Sequence, residues 1–462
     1  MPEVERFDML VLGSGEGGKY LAWHLARSGQ RVAVIERKLV GGACPNTNCL
    51  PSKNEIWSAK VADLVRHADR FGSPAAEGVD MKRVLAWKRE MVDGLIAMHL
   101  DLYKASGAEL IMGSGRFTAP KTIEVALNDG GARVLAGGRV ALNLGTHATV
   151  PGVPGLVAAK PLTNVEMLEL DRLPDRLIVL GGGYVGLELA QAYRRFGSRV
   201  TIVEAGSEFA SREDRDVSEA LLEILHADGV EVLLDTHVLH VEGRSGQSVR
   251  LAVRTPAGER ALDGSDILIA VGRTPNTLGI GLDRAGVALD PRGYMAVNDR
   301  LETSAPDVWA IGECAGSPQF THASLDDFRI IRDNLAGGAR STRNRLIPYC
   351  LFTDPQLARI GLSETEAERQ GVAVRVAKLP ISAVLRSRTI SETGGFMKAL
   401  VGAEHDRILG FAMIGPEAGE VVAVVQTAML AGVPYVALRD AILTHPTMAE
   451  GLGRLLSQVP AR

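Results

Sequence analysis

Cys44 and Cys49 stand with four residues between them in the run Gly41-Gly-Ala-Cys-Pro-Asn-Thr-Asn-Cys-Leu-Pro-Ser-Lys53. The chain has only 4 cysteines in 462 residues, too few for a disulfide scaffold, so a close pair points to thiol chemistry. An apolar helical pattern follows Cys49 and places the pair where a loop enters a helix. A helix N-terminus lowers a thiol pKa and raises its thiolate fraction. Two buried structural cysteines are the plain alternative. A metal centre is not expected, because only two sulfurs are present and no His or further Cys lies nearby at ligand spacing.

Glycine spacing marks two further sites. Gly13-Ser-Gly-Glu-Gly-Gly18 and Gly181-Gly-Gly-Tyr-Val-Gly186 both follow an apolar strand pattern and open a helical one. Gly13 and Gly181 permit the tight turn, Gly15 and Gly183 admit a pyrophosphate to the backbone, and Gly18 and Gly186 allow close helix packing. Glu36 and Glu204 end the next strand in each copy, where a carboxylate can accept from an adenosine ribose 2′-OH. One such turn can be purely structural; two complete copies imply two dinucleotides. Glu204 would repel a 2′-phosphate, so the second site is expected to take NADH rather than NADPH, although Arg212 in the following loop could tolerate a phosphate.

The elements that must hold these residues follow from the apolar periodicity. Strand Met9–Leu12, helix Glu16–Arg27 and strand Arg31–Ile35 form one βαβ opening; Leu177–Leu180, Tyr184–Phe196 and Arg199–Val203 form the second. Between them lie a long helix over Met81–Ser106, several short strands, and the Pro/Gly-rich crossing Thr149–Gly155. Later come strand Ile267–Val271, a turn over Gly272–Thr277, and strand Val308–Ile311 running into Gly312-Glu-Cys-Ala-Gly316. The remainder, with strands Ala399–Val401 and Ile408–Met413, reads as a separate α+β domain.

Composition narrows the function. The 51 glycines are about 11% of the chain against a usual ~7%, with no collagen repeat, so the surplus belongs to turns and close backbone approaches. A formal charge of −4 and 5% aromatic residues argue against nucleic acid as a partner. The longest apolar stretch, Val421–Leu438, is broken by Gln426, Gly432 and Pro434; it falls short of the ~20 residues of a membrane span and reads as one buried helix. The charged start, Met1–Asp8, carries no secretory or transit pattern, so a cytoplasmic protein is expected.

Fingerprint, dithiol, second fingerprint, Gly272-Arg-Thr-Pro-Asn, Ile311-Gly-Glu-Cys and Thr444-His-Pro-Thr-Met-Ala-Glu450 occur in an order that resembles the FAD-dependent pyridine nucleotide-disulfide oxidoreductases. The resemblance covers essentially the whole chain. Cys-Pro-Asn-x-x-Cys-Leu-Pro-Ser-Lys and Gln319-Phe-Thr-His-Ala-Ser-Leu-Asp-Asp-Phe-Arg329 look most like the mercuric-reductase-like branch, which also holds the reactive-chlorine-resistance flavoproteins. The implied fold is α/β, with two Rossmann-like dinucleotide-binding domains, for FAD and NAD, and a C-terminal α+β dimerisation domain. The expected boundaries are 1–154 and 276–342 for FAD, 155–275 for NAD(P)H, and 343–462 for the interface.

That resemblance implies an electron path from NADH to FAD and then to a Cys44–Cys49 disulfide. It makes Cys49 the flavin-proximal, charge-transfer thiol and Cys44 the interchange thiol that attacks substrate. His445, oriented by Glu450, would serve as acid/base from the other subunit of a homodimer. Lys53 would lie near the flavin paired with Glu188, a cation where reduced flavin gains charge. Tyr184 would gate the nicotinamide pocket. Gly42, Gly145, Gly272, Glu313 and His322 would line the cofactors, the segment Thr321–Ser324 beginning a helix aimed at the flavin ring. Taken singly, His445, Lys53 and Glu188 would read as ordinary surface residues.

Several positions depart from the family's commonest pattern. Glu313 replaces the usual Asp, Asn48 replaces a glycine, and Leu443 stands where lipoamide dehydrogenases carry a first histidine. Neither an N-terminal Cys-x-x-Cys module nor cysteines in Leu455–Arg462 are seen, which counts against efficient mercury delivery, since Hg(II) demands thiolate. Cys314 and Cys350 read as core residues, and Arg386-Ser-Arg388 as a solvated loop. The expected function is reduction of a small disulfide, a metal ion or another oxidant through the dithiol. The alternatives are a lipoamide dehydrogenase or diaphorase, and a low-turnover redox-sensing flavoprotein.

Overall fold

A computed structural model describes residues 3–462. The chain forms two compact units, one taking in the chain through Asn54 with Lys82–Thr149 and Gly272–Arg345, the other Glu55–Met81, Val150–Val271 and Leu346–Arg462. No helix among the described residues is long and apolar enough to cross a membrane.

In the first unit, strand Val4–Leu12 lies between Val32–Glu36 and Ala132–Leu142, parallel to both. Glu109–Ala119 extends this sheet beyond Val32–Glu36, Val308–Ala310 pairs beyond Ala132–Leu142, and Thr122–Leu127 links the two long strands antiparallel. All five residues of Val32–Glu36 are buried, as a strand covered on both faces requires. One core joins Leu10, Ile35, Phe117 and Leu142; another joins Val11, Trp23, Tyr103 and Ile331. Helices Glu16–Arg27 and Met81–Ser106 run over the expected residues.

The second unit repeats the scheme on a smaller sheet. Arg176–Leu180 is flanked by Asp266–Ile269 and Arg199–Val203, with Glu231–Leu233 outermost, all parallel. Helix Tyr184–Phe196 and strand Arg199–Val203 match the sequence reading. An antiparallel sheet of five strands follows, in the spatial order Tyr349–Leu351, Gln356–Gly361, Ile408–Gly415, Phe396–Gly402, Val374–Pro380.

Three expectations need correction. Val421–Leu438 is not one helix. Ala418–Leu430 ends as Gly432 takes a left-handed φ of 64°, and Tyr435–Arg439 restarts after Pro434, a glycine stop followed by a proline that cannot continue the helix. The turn read over Gly272–Thr277 contains a strand, Arg273–Pro275, antiparallel to Thr146–Ala148. Arg273 drives that extension by donating to Thr146 O at 2.9 Å. Arg386 and Arg388 sit on a short helix, Leu385–Thr389, rather than a loop.

A buried lysine fastens the second unit internally. Lys398 Nζ lies 2.7 Å from Asp214, 2.8 Å from Asp216 and 2.8 Å from Glu364. Burial pushes the Asp214 carboxyl up, but hydrogen bonds from Lys398 and from the Thr365 and Glu364 amides outweigh it and leave the group well below its usual range. Lys398→Met should cost about 3 kcal/mol at neutral pH, the low end for a broken buried pair because Asp216 and Glu364 are partly exposed. Asp214 has a depressed folded pKa, so its contribution is present above the unfolded value and lost as pH falls through the folded one. Urea unfolding should therefore show the gap between wild type and variant closing as the pH drops below about 4.

Candidate active site

The first glycine turn is built so that side chains are excluded. Gly13 has φ +96°, and a Cβ there would lie 2.3 Å from Asn143 O; at Gly18 it would lie 2.8 Å from Gly13 O. Gly15 caps helix Glu16–Arg27 with no side-chain hydrogen bond, leaving the positive helix end to an anion. The dithiol loop comes down on this turn: a Cβ at Gly42, where φ is +76°, would stand 2.6 Å from Gly15 Cα. Glu36 ties the loops together. Its Oε2 accepts from Ser14 N at 3.0 Å and Ser14 Oγ at 2.7 Å, its Oε1 from Lys38 N at 2.9 Å and Leu39 N at 3.0 Å. Predicted as a ribose ligand, Glu36 also anchors the cradle.

Cys44 lies on the short helix Ala43–Asn46 and Cys49 begins helix Cys49–Arg66. Both are partly buried. Cys49 Sγ is 3.2 Å from Thr321 Oγ1, and Thr321 begins helix Thr321–Leu335. The Cys44 thiol is pushed far up, first by its hydrogen bond to Cys49, then by burial and by charge on Cys49. Exchange needs a thiolate attacker, so Cys44 must lose its proton to a base before it reacts.

At the second fingerprint, Gly181 has φ +102°, and a Cβ there would lie 2.6 Å from Ala270 O; at Gly186 it would lie 2.2 Å from Gly181 O. Gly183 is different. It is exposed, and a Cβ there would meet nothing nearer than Ala270 O at 3.9 Å. No internal contact requires glycine at that point, which fits approach by a ligand backbone. Glu204 accepts one hydrogen bond per oxygen, from Gly182 N at 2.7 Å and Gly206 N at 2.8 Å, against two per oxygen at Glu36. Tyr184 begins the helix and donates to Glu213.

The remaining candidates are distributed as follows. His445 Nδ1 is 2.7 Å from Glu450 Oε2, with the imidazole 64% exposed and the carboxylate 18%. Lys53 lies on the first unit's part of helix Cys49–Arg66, whereas Glu188 lies in the second unit, buried and accepting from Phe352 N at 2.8 Å. Glu313 Oε2 takes a hydrogen bond from Thr146 Oγ1 and sits 3.3 Å from Arg273 Nε. Its extra methylene over Asp lets it reach this pair. Gly145 and Gly272 have φ +63° and +133° with open space at the Cβ position. His322 is exposed and stacks on Phe320. Cys314 is buried, which raises its thiol to about 11.

Several positioning residues escaped the sequence reading. Asn143 Oδ1 accepts from Gly18 N at 3.0 Å while its amide donates to Ile311 O at 2.9 Å. Ser324 Oγ accepts from Gly17 N at 3.1 Å, and Asp327 from Gly312 N at 2.7 Å. Lys19, 3% exposed, reaches Glu16 at 2.7 Å and His99 Nε2 at 2.8 Å. Burial, then the Lys19 charge, hold His99 below its usual pKa and so neutral. Lys19 is thus paired with Glu16 in the first turn of the uncapped helix. The glycine turn and open helix end together fit a dinucleotide pyrophosphate.

A dithiol beside one dinucleotide turn, with a second such turn in the same chain, defines a flavin- and nicotinamide-dependent disulfide oxidoreductase. The family described as pyridine nucleotide-disulphide oxidoreductase matches residues 7–327, and its dimerisation domain matches residues 347–456; the chain belongs to that family. Among its relatives are the probable pyridine nucleotide-disulfide oxidoreductase RclA of Escherichia coli, 35% identical over 99% of this chain and 100% of the relative, and the dihydrolipoyl dehydrogenase of Thermus scotoductus, 35% identical over 97% and 96%. A mercuric reductase of Shigella flexneri is 35% identical over 96% of this chain and 79% of its own. The solved structure of a Cu(II) complex of the HOCl-induced flavoprotein disulfide reductase RclA from Escherichia coli superposes with a TM-score of 0.90 at 34% identity, covering 99% of this chain and 100% of that one. The protein is thus an FAD-dependent enzyme that passes electrons from NAD(P)H to a disulfide or metal-ion oxidant.

Gly42→Ala should separate the two loops. The left-handed backbone costs an L side chain about 1–2 kcal/mol, and the clash with Gly15 adds to it. The variant is expected to purify with less flavin per protein, read from its absorbance, whereas Gly145→Ala, with open space, should lose only the conformational share.

Proposed function

We propose that the enzyme uses NADH, works as a homodimer in the cytoplasm, and reduces a small disulfide or a metal ion such as Cu(II) through Cys44 and Cys49. The observation that carries this reading is the pair itself, two partly buried sulfurs at adjoining short-helix and helix starts with Cys49 against Thr321 Oγ1. FAD held at the Gly13–Gly18 turn would supply the hydride-accepting, two-electron relay between the nicotinamide and the Cys44–Cys49 disulfide. Cys44, once deprotonated, attacks one sulfur of a disulfide substrate, whose other sulfur leaves as a thiol. Cys49 then attacks Cys44, releasing the second thiol and restoring the internal disulfide.

The proton for the leaving sulfur needs a donor, and the exposed His445, held by Glu450, can supply it to a partner subunit. The family's dimerisation domain, matched over residues 347–456, supports this assignment. Lys53 and Glu188 are read as a pair that places a cation beside the flavin. The boundaries 1–154, 155–275, 276–342 and 343–462 are kept as functional divisions.

Cu(II) enters from the solved relative, which carries that ion, and copper in its reduced state is a soft partner for thiolate. Lipoamide stays in the panel of acceptors because a dihydrolipoyl dehydrogenase is as similar in sequence, although Leu443 departs from that enzyme's His-x-His-Pro pattern.

Turnover should be at least tenfold faster with NADH than with NADPH at equal concentration, since a carboxylate at Glu204 would repel a 2′-phosphate; a preference for NADPH would refute this. Anaerobic NADH titration should raise a long-wavelength thiolate-to-flavin band that Cys49→Ser abolishes. Against lipoamide, glutathione disulfide, Cu(II), Hg(II) and quinones, Cys44→Ser should remove disulfide and metal reduction and spare only quinone activity drawn directly from the flavin.

A further inference from the structure

Two tyrosines of the second unit share one oxygen of a buried carboxylate. Tyr184 donates its hydroxyl to Glu213 Oε1 at 2.7 Å, and Tyr349, from strand Tyr349–Leu351, donates to the same atom at 2.6 Å. Their rings are stacked, with centroids 5.6 Å apart and planes 30° from parallel. The Glu213 side chain is 0% exposed, and its other oxygen faces Arg359 Nη1 at 3.4 Å. Arg359 is fixed in turn by Glu366 and by Arg212 O at 2.9 Å.

Both lone pairs of Glu213 Oε1 are therefore occupied. Burial, then the Glu213 charge, push both phenols up, so each remains a neutral donor throughout the working range. Bonds from a hydroxyl to a carboxylate are among the stronger hydrogen bonds. When Tyr184 swings away, Glu213 still holds Tyr349 and Arg359, so no buried charge is stranded. When Tyr184 returns, the bond and the ring stack re-form together. An ordinary structural cluster has no need of a carboxylate that stays satisfied after one partner leaves.

We propose that Glu213 is a positioning residue that latches Tyr184 in its closed place at the second fingerprint, with Tyr349 sharing the same oxygen, so that the nicotinamide must break the Tyr184–Glu213 bond to enter. The inference rests on the reading of Tyr184 as the gate of that pocket. A latch opposes nucleotide binding and leaves the hydride step itself untouched, so its strength is read in KM and in nucleotide affinity. Tyr349 tunes it by competing for the same oxygen. Without the Tyr349 hydroxyl, Glu213 binds Tyr184 more strongly and is left less satisfied when the gate opens.

The holoenzyme and its variants Tyr184→Phe, Tyr184→Ala and Tyr349→Phe test this by steady-state NADH kinetics and NAD+ titration of flavin fluorescence. Tyr184→Phe keeps the ring and loses the bond; its KM for NADH should fall about threefold to tenfold, more than any change in kcat, the worth of one hydrogen bond. Tyr349→Phe should move KM the opposite way. Shifts of the same sign in the two variants, or a Tyr184→Phe enzyme indistinguishable from wild type, would overturn the latch. Tyr184→Ala separates the underlying reading: if it too leaves KM and NAD+ affinity unchanged, Tyr184 is no gate, whereas a change in Tyr184→Ala alone leaves a gate without a latch.

Discussion

Gly42 rests on Gly15 with no room for a side chain at the contact, and the first unit is organised around that approach. One glycine belongs to the phosphate-cradling turn, the other to the loop that ends in Cys44. Because backbone meets backbone, the anion site and the thiols are a single mechanical piece. Ser14 reinforces the joint, accepting from Gly41 N at 3.0 Å while donating to Glu36. Thr321 supplies a second brace from the chain's other side, meeting Cys49 at the start of its own helix. Sulfur position is thereby set by hydrogen bonds and steric exclusion rather than by the flexible side chains alone.

The second unit uses the same βαβ geometry with a looser loop. Glu204 holds Gly182 and Gly206 by one bond each, and Gly183 faces open space. A resident cofactor calls for a closed cradle, whereas a nucleotide that must leave after every turnover calls for an open one. The contrast between Glu36 and Glu204 carries that distinction in two residues of the same type at matching places.

Much of this was legible in the sequence because it is local. Strand, glycine turn and helix follow one another within a few residues, and the apolar periodicity located helices Glu16–Arg27 and Tyr184–Phe196 to the residue. The cysteine pair stood out because cysteine is scarce in the chain. Asn143, Glu213 and Tyr349 did not, for they are single polar residues whose partners lie far along the chain, such as Asn143 with Gly18 and Tyr349 with Glu213; the segment Thr321–Ser324 is legible as a helix start, but its bonds to Cys49 and Gly17 are not. Spacing carries no trace of such bonds. The break at Gly432 was marked by composition, yet the apolar residues on both sides obscured it. Around Gly272 the turn-forming residues were read correctly as punctuation, but the strand between them depends on Arg273 meeting Thr146.

The four donors gathered by Glu36 give the cradle its shape from the protein's own groups. Loops that are already ordered do not have to lose their freedom when a ligand arrives, so the entropy of arranging them is charged to folding rather than to cofactor uptake. The cradle is in that sense a mould cast by folding, its walls set by main-chain and hydroxyl donors of the chain itself.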